Sequence, residues 1–347
     1  MIRVYLIHEF VRNLDGFADY LRVSEETKRH LVWDAENPDI LFASEWIYFK
    51  KHAYKTFQKL WPKAKLRIMY AGEAIEPDFN LFDYVVGFSN KCQMGDRFIR
   101  IISPLDMFSG FIKTRVNDIQ TPEQAEACLQ QKQGFCNFLY SNPNAHSRRD
   151  QLFYELSTYK RVDSLGRHLN NVGKMGTGFV GHAGECTDIK ALYKFSIASE
   201  NASFDGYTSE KVYTSLTAHT VPIYFGNKYI AEDLNPKAII NVNDFKTQQE
   251  LVEYVKYVDT HDEVWKQMVM EPWILPEQME AHKQRTEKYL QFIEWALNGD
   301  IDSKRRLAEG THVDNYRMFF LYDHYSMELN WKTLPRYIDK AIKKLKK

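Results

Sequence analysis

Five side chains with chemical reach fall close together near the middle of the chain: Glu200, Asn201, Tyr207, Glu210 and Lys211. A carboxylate and an amide can hydrogen-bond the hydroxyls of a sugar or a ribose. Tyr207 offers a ring face and a hydroxyl, and Lys211 brings a full positive charge. Ahead of them, Tyr193–Ala198 is an apolar run with the pattern of a buried strand. Glu200 to Tyr207 is a polar loop broken at Gly206. Thr208 and Ser209 offer N-cap oxygens for a helix running to about Ala218. Two further apolar runs follow, Val221–Phe225 closed by Gly226 and Ala238–Val242 closed by Asn243 and Asp244. Strand, loop, helix, strand, turn, strand predicts α/β architecture on a parallel sheet. Ligands of such sheets sit beyond the carboxyl ends of the strands, where helix N-termini present unpaired N–H groups that suit phosphate. The plain alternative is a capped surface helix whose charges point to water.

The order of the residues narrows that choice. Lys194-Phe195, Glu200-Asn201, Tyr207 and Glu210-Lys211, followed by VPIYFG, closely resemble the donor-binding signature of the α1,3/4-fucosyltransferases. The resemblance implies an inverting, GDP-fucose-dependent enzyme with two facing Rossmann-like domains (the GT-B arrangement) and closing C-terminal helices. It implies transfer of L-fucose to a hydroxyl of a galactose/N-acetylglucosamine-type glycan, α1,3-linkage favoured, in bacterial surface polysaccharide or lipopolysaccharide synthesis. A runner-up keeps the fold and changes the donor to another GDP-linked deoxysugar. A non-catalytic glycan-binding or scaffold protein is the reading from another class.

The segment LRIMYAGEAIEPDFNLFDYVVGF, from Leu66, resembles the acceptor-side motif of the same family. On that resemblance Glu73 is the general base. An acceptor hydroxyl attacking an anomeric carbon must lose a proton, and a carboxylate at hydrogen-bond distance can take it. Read alone, Glu73 is an exposed acid at a strand end. The family usually has Asn after this Glu, and here Ala74 stands there. Asp78, Asn80 and Asp83 are secondary polar candidates, with Asp83 the best suited to anchoring a turn. Farther on, SNPNAHSRRDQLF resembles the stretch that carries the family's diphosphate contact. Counting back from Leu152 and Phe153 gives Arg149, with Arg148 as the neighbouring candidate. A guanidinium presents a planar fork that suits phosphate oxygens. Donor contacts are thus expected at Arg149, Asn201, Tyr207, Glu210 and Lys211, with Arg148 and Glu200 secondary.

No metal and no cofactor are expected. Asp300 and Asp302 form an Asp-x-Asp triplet, but they follow a helix pattern rather than a strand and read as the cap of a helix over 303–308. Lys174–Gly184 is Gly-rich without the closing GK[ST] of a P-loop, so it reads as a loop, and His182 within it receives no role.

Composition sets the outer bounds. A length of 347 residues suggests two domains. With 46 basic and 46 acidic residues nothing marks a nucleic-acid binder. Cys92, Cys128, Cys136 and Cys186 show no CxxC spacing, which argues for a reducing compartment and against a disulfide framework or zinc site. No leader and no spanning segment is expected, and together with the resemblance this predicts a soluble bacterial form in the cytoplasm. Domains are expected at 1–118 (acceptor side), 119–315 (GDP-sugar binding) and 316–347 (an aromatic and basic tail), with Ser103–Gln133 as the connection. Within the tail, Arg336 to Lys347 holds six basic residues against Asp339 and an apolar stripe of Tyr337, Ile338, Ala341, Ile342 and Leu345. Such a helix suits peripheral contact with an anionic membrane surface at the inner face, or else docks by one face on the protein.

Overall fold

The structure is a computed structural model and describes residues 1–101, 117–173 and 183–308. The Gly-rich segment with His182, the first part of the predicted connection and the C-terminal tail fall on or largely on residues outside these.

Two sheets organise the chain. The first takes in β1 (Ile2–Ile7), β2 (Leu31–Trp33), β3 (Ile40–Ser44), β4 (Leu66–Tyr70), β5 (Tyr84–Gly87) and β6 (Phe98–Arg100), in the order β2-β1-β3-β4-β5-β6. β1 pairs in parallel with β2 and β3, and β3 with β4. The second takes in β7 (Gly134–Phe138), β8 (Val162–Ser164), β9 (Tyr193–Ser199), β10 (Val221–Phe225) and β11 (Ile240–Asn241), in the order β11-β10-β9-β7-β8, parallel throughout. Every residue of β3, β4 and β10 is buried, as expected of strands covered on both faces. The predicted strand Ala238–Val242 shrinks to two residues, because 3-10 turns at Pro236–Ala238 and Val242–Asp244 close in from either side.

The described residues divide into two compact units: 1–70, 78–85 and 294–308 form one, and 71–77 with the described residues of 86–293 the other. In the first, helices α1 (Leu14–Leu21), α2 (Glu25–Lys28), α3 (Trp46–Phe49) and α4 (Lys51–Leu60) accompany the sheet. The i, i+3, i+6 spacing of Tyr54, Phe57 and Leu60 puts all three on the buried side of α4. Asp83 anchors this unit, accepting the backbone N–H groups of Arg67 (2.9 Å), Arg306 (2.7 Å) and Leu307 (2.8 Å).

The second unit adds α5 (Pro122–Gln130), α6 (Arg148–Ser157), α7 (Ala183–Ala191), α8 (Glu210–Thr217), α9 (Gln248–Thr260), α10 (Asp262–Met270) and most of α11 (Pro276–Leu297). Its core joins Phe138, Phe195, Ile197, Ile223, Val255 and Trp265. Each such side chain contributes roughly 1.5–3 kcal/mol on burial. Capping boxes at Thr121/Gln124 and Thr247/Glu250 start α5 and α9. Asp300 and Asp302 cap no α-helix. A 3-10 turn, Asp302–Lys304, begins at the second of them, and Asp300 Oδ1 accepts the Asp302 N–H at 3.1 Å.

Candidate active site

Glu73, Arg148, Arg149, Glu200, Asn201, Tyr207, Glu210 and Lys211 all belong to the second unit, while the secondary candidates Asp78, Asn80 and Asp83 belong to the first. Glu200 is the first residue after β9. Its backbone N–H donates to the Phe225 carbonyl at 2.8 Å, tying the loop to the end of β10. Its side chain is fully buried. One carboxylate oxygen accepts the Ser209 N–H at 2.8 Å. The other accepts the Ser209 hydroxyl at 2.6 Å and lies 3.4 Å from the Lys211 ammonium. Lys211 donates to Ser209 Oγ at 2.9 Å and to Glu210 Oε1 at 3.3 Å. The Ser209 hydroxyl is therefore drawn to Glu200 and does not cap α8, as its position in the sequence suggests it should. α8 begins at Glu210 with no side-chain cap, so its first-turn N–H groups lack the partner that a cap residue supplies, and a helix start of that kind suits an anion.

The electrostatics follow from this packing. Burial pulls the Lys211 pKa down, but the carboxylates of Glu200 and Glu210 outweigh it, and the ammonium keeps its charge. Burial pushes the Glu200 carboxyl up, with Lys211 and the Ser209 donors pulling it back. Glu210 is more than half exposed and holds the Lys211 ammonium from the solvent side of the pair.

Arg149 lies in the first turn of α6, 1% exposed. Its guanidinium donates to Asn201 Oδ1 at 3.1 Å and to the Asn142 carbonyl, and stacks 4.4 Å over the Tyr140 ring. Nε has no acceptor. A buried cation with an uncommitted N–H is suited to an oxyanion. Arg148, one residue earlier, turns away to Glu155 at 2.6 Å. Of the two sequence candidates, only Arg149 is joined to the loop after β9. The Tyr140 hydroxyl holds the strand ends together, donating to the Ile197 carbonyl (2.8 Å) and accepting the Ser199 N–H (2.6 Å).

Tyr207 connects this loop to Glu73. It is 3% exposed, and its hydroxyl donates to Glu73 Oε2 at 2.8 Å. Burial, then the charges of Glu200 and Glu73, hold the phenol far above its ordinary pKa, so it stays a donor. Its ring meets the Phe88 ring edge-on at 4.9 Å. Gly206 before it has φ of 95°, and a Cβ there would collide with the Phe88 carbonyl oxygen. Glu73 itself is half-buried in the turn after β4, where its carbonyl accepts the Ile75 N–H at 2.9 Å. Asp78 and Asn80 are occupied in their own turn, and Asp83 anchors backbone as described. Two residues that the sequence pattern did not single out, Asn227 and Asp233, are fully buried behind the Tyr207 loop.

The arrangement provides a carboxylate held from one side, a buried cation at Arg149 tied to Asn201, a half-buried one at Lys211 in the uncapped start of α8, and an amide and a carboxylate able to bind hydroxyls. Among the described residues no cluster of His, Cys, Asp or Glu could hold a metal ion. No helix among them is long and apolar enough to cross a membrane.

Comparison with known proteins gives this geometry a family. Residues 129–298 match the C-terminal domain of glycosyltransferase family 10 (fucosyltransferase), and residues 7–107 match the α-(1,3)-fucosyltransferase FucT N-terminal domain. The chain belongs to glycosyltransferase family 10. It is 31% identical to "Alpha-(1,3)-fucosyltransferase FucT" of Helicobacter pylori over 59% of this chain and 46% of that protein. It is 27% identical to "GDP-fucose protein O-fucosyltransferase 3" of Gallus gallus over 74% of this chain and 47% of the relative. The chain thus spans about half the length of these relatives. Solved α1,3-fucosyltransferase structures share the fold. One aligns with TM-score 0.64 at 24% identity, covering 87% of this chain and 91% of that one. Another, with GDP-fucose, aligns with TM-score 0.61 at 24% identity, covering 86% and 91%. The architecture is GT-B: two Rossmann-like domains, each on a parallel sheet.

Proposed function

We propose that this chain transfers L-fucose from GDP-fucose, with inversion, to a hydroxyl of a galactose/N-acetylglucosamine-type glycan, α1,3-linkage favoured. The observation that carries the reading is the Tyr207–Glu73 hydrogen bond, which joins the family's base position to the loop bearing its donor signature. Glu73 takes the proton of the acceptor hydroxyl as that oxygen attacks the anomeric carbon. The bond from that carbon to the phosphate oxygen breaks, and GDP leaves. Arg149, Lys211 and the start of α8 neutralise the charge that develops on the diphosphate, so no divalent metal is needed. Asn201, Tyr207 and Glu210 position nucleotide and sugar. The setting is the cytoplasm, in surface polysaccharide or lipopolysaccharide synthesis, with the basic tail touching the inner face of the membrane.

The relatives named as protein O-fucosyltransferases favour a second reading of the acceptor, a protein hydroxyl. The deciding experiment incubates the protein with GDP-fucose, GDP-mannose and UDP-sugars, and follows nucleotide release without acceptor, with N-acetyllactosamine and with a Ser/Thr peptide. Acceptor-dependent release from GDP-fucose with N-acetyllactosamine supports the first reading. Stimulation by the peptide alone moves the acceptor to protein, and release from another donor replaces the fucosyl reading.

A further inference from the structure

Asn227, two residues past the end of β10, has no exposed surface. Its backbone N–H donates to the Tyr224 hydroxyl at 2.9 Å. Its side-chain oxygen accepts the N–H groups of Gly206 (2.8 Å) and Tyr229 (3.0 Å). Its amide nitrogen donates to Thr208 Oγ1 at 3.2 Å and reaches Asp233 Oδ2 at 3.5 Å. Both ends of the amide are committed.

The two loop partners, Gly206 and Thr208, flank Tyr207. Behind the same loop, the Tyr224 hydroxyl donates to the Tyr207 carbonyl at 3.4 Å. The orientation of the amide is itself fixed. Asp233 is fully buried beside Arg100 (3.2 Å) and Arg285 (3.5 Å). Its carboxylate attracts the NH2 end of Asn227, which leaves the oxygen facing the Gly206 N–H. The reverse orientation would set donor against donor.

We infer that Asn227 is a positioning residue of the proposed transfer: it pins the backbone on either side of Tyr207, so that the Tyr207 hydroxyl stays on the Glu73 carboxylate. The inference rests on the fucosyl-transfer reading for its kinetic part. The rest of the donor loop is held independently. Ser209 is bound to Glu200, Ser203 Oγ donates to the Gly226 carbonyl at 3.2 Å, and Lys91 pairs with Asp205. Loss of the Asn227 amide therefore frees Gly206–Thr208 while Arg149, Asn201 and Lys211 stay in place. That predicts a loss in turnover larger than the loss in donor affinity.

The test is a double-mutant cycle with Asn227→Ala, Tyr207→Phe and the pair, with Asn137→Ala as the control. Asn137 is equally buried, donating to the Phe195 carbonyl and accepting from Ser196 Oγ, and lies on β7 outside the loop. Misplacement by about 1 Å can cost on the order of 10²-fold in rate. Asn227→Ala should accordingly lower kcat by at least about tenfold, with a smaller rise in KM for GDP-fucose because only the Tyr207 contact to the donor is loosened. It should cost much less in the Tyr207→Phe background, because both act through one contact. Asn137→Ala should lower the melting temperature and leave kcat alone. Amide hydrogen exchange over Phe204–Ser209 should rise in Asn227→Ala and not in the control. If Asn227→Ala does not fold, Thr208→Val, which removes only the hydroxyl that the amide meets, replaces it in the cycle. Equal losses in both backgrounds, an unchanged kcat or unchanged exchange at the loop would overturn the inference. If the wild-type protein transfers no fucose, the transfer reading falls by itself, and the exchange measurement still decides whether Asn227 pins the loop.

Discussion

Replacing Gly206 by alanine places a methyl group where the fold has no room. At φ of 95° an L side chain is strained, and its Cβ would run into the Phe88 carbonyl oxygen and stand 2.9 Å from the Asn90 nitrogen. Both neighbours are backbone, which cannot swing aside as the tip of a side chain does. Restoring ordinary contact near 3.5 Å requires the loop to withdraw by roughly 1 Å. The Tyr207 hydroxyl meets Glu73 Oε2 at 2.8 Å. A withdrawal of that size takes the pair beyond hydrogen-bond reach. An error of about 1 Å at a reacting group costs on the order of 10²-fold, so kcat for fucosyl transfer should fall by about that factor. GDP affinity should change little, because Arg149, Asn201 and Lys211 are held by separate bonds. Gly173 (φ 77°) and Gly299 (φ 73°) are the controls, since a Cβ at either meets nothing within 4 Å. Their alanine variants share the backbone strain, about 1–2 kcal/mol each, without the collision. Steady-state GDP release, thermal melting and calorimetric GDP titration read the three effects separately. A Gly206→Ala enzyme that turns over as fast as the two controls would show that the Tyr207 hydroxyl does not depend on the close approach of Gly206 to Phe88.

Three further outcomes follow from other parts of the chain. Transfer should continue in EDTA, because Arg149 and Lys211 supply the charge that a divalent ion supplies elsewhere, and complete loss restored by one ion would contradict this. Lys190, buried and donating to the Lys211 carbonyl, Thr214 and Ser215, has its pKa lowered by burial from 10.5 to about 8. Between those values the unfolded chain binds the extra proton, so this group makes stability rise with pH by about 1.4 kcal/mol per unit. Lys190→Met should flatten that rise, and melting curves that track wild type from pH 8 to about 10 would exclude it. Truncation before Pro335 should abolish salt-sensitive binding to anionic vesicles, where each cation contributes about 1 kcal/mol, and leave transfer to a soluble acceptor intact. A parallel fall in melting temperature and turnover, with no vesicle binding to lose, would instead make the tail a brace.

What was legible in the sequence had short range. The apolar runs of β9 and β10 and the polar loop between them read directly, since strand burial and loop polarity are local patterns. The order of Glu200, Asn201, Tyr207, Glu210 and Lys211 carried the family. Counting gives Arg149 with Arg148 beside it, but that the first is buried and the second turns to Glu155 follows from how α6 packs, which no spacing shows. Ser209 reads as a cap, yet a buried carboxylate nine residues back competes for its hydroxyl and wins. Asn227 looks like an ordinary turn residue after Gly226. Its importance comes from Gly206, Thr208 and Asp233 converging on one amide, a long-range arrangement with no signature in spacing. The same holds for Tyr207 and Glu73, which are 134 positions apart and share one hydrogen bond.

The Glu73 carboxylate is where the proposed transfer is tested most directly. Glu73→Gln keeps the shape and the acceptor oxygen for the Tyr207 hydroxyl but cannot take a proton at neutral pH. The variant should bind GDP as wild type does while fucosyl transfer from GDP-fucose to N-acetyllactosamine falls by about 10²-fold or more. Near-normal transfer by Glu73→Gln would contradict the proposed role of Glu73 as base.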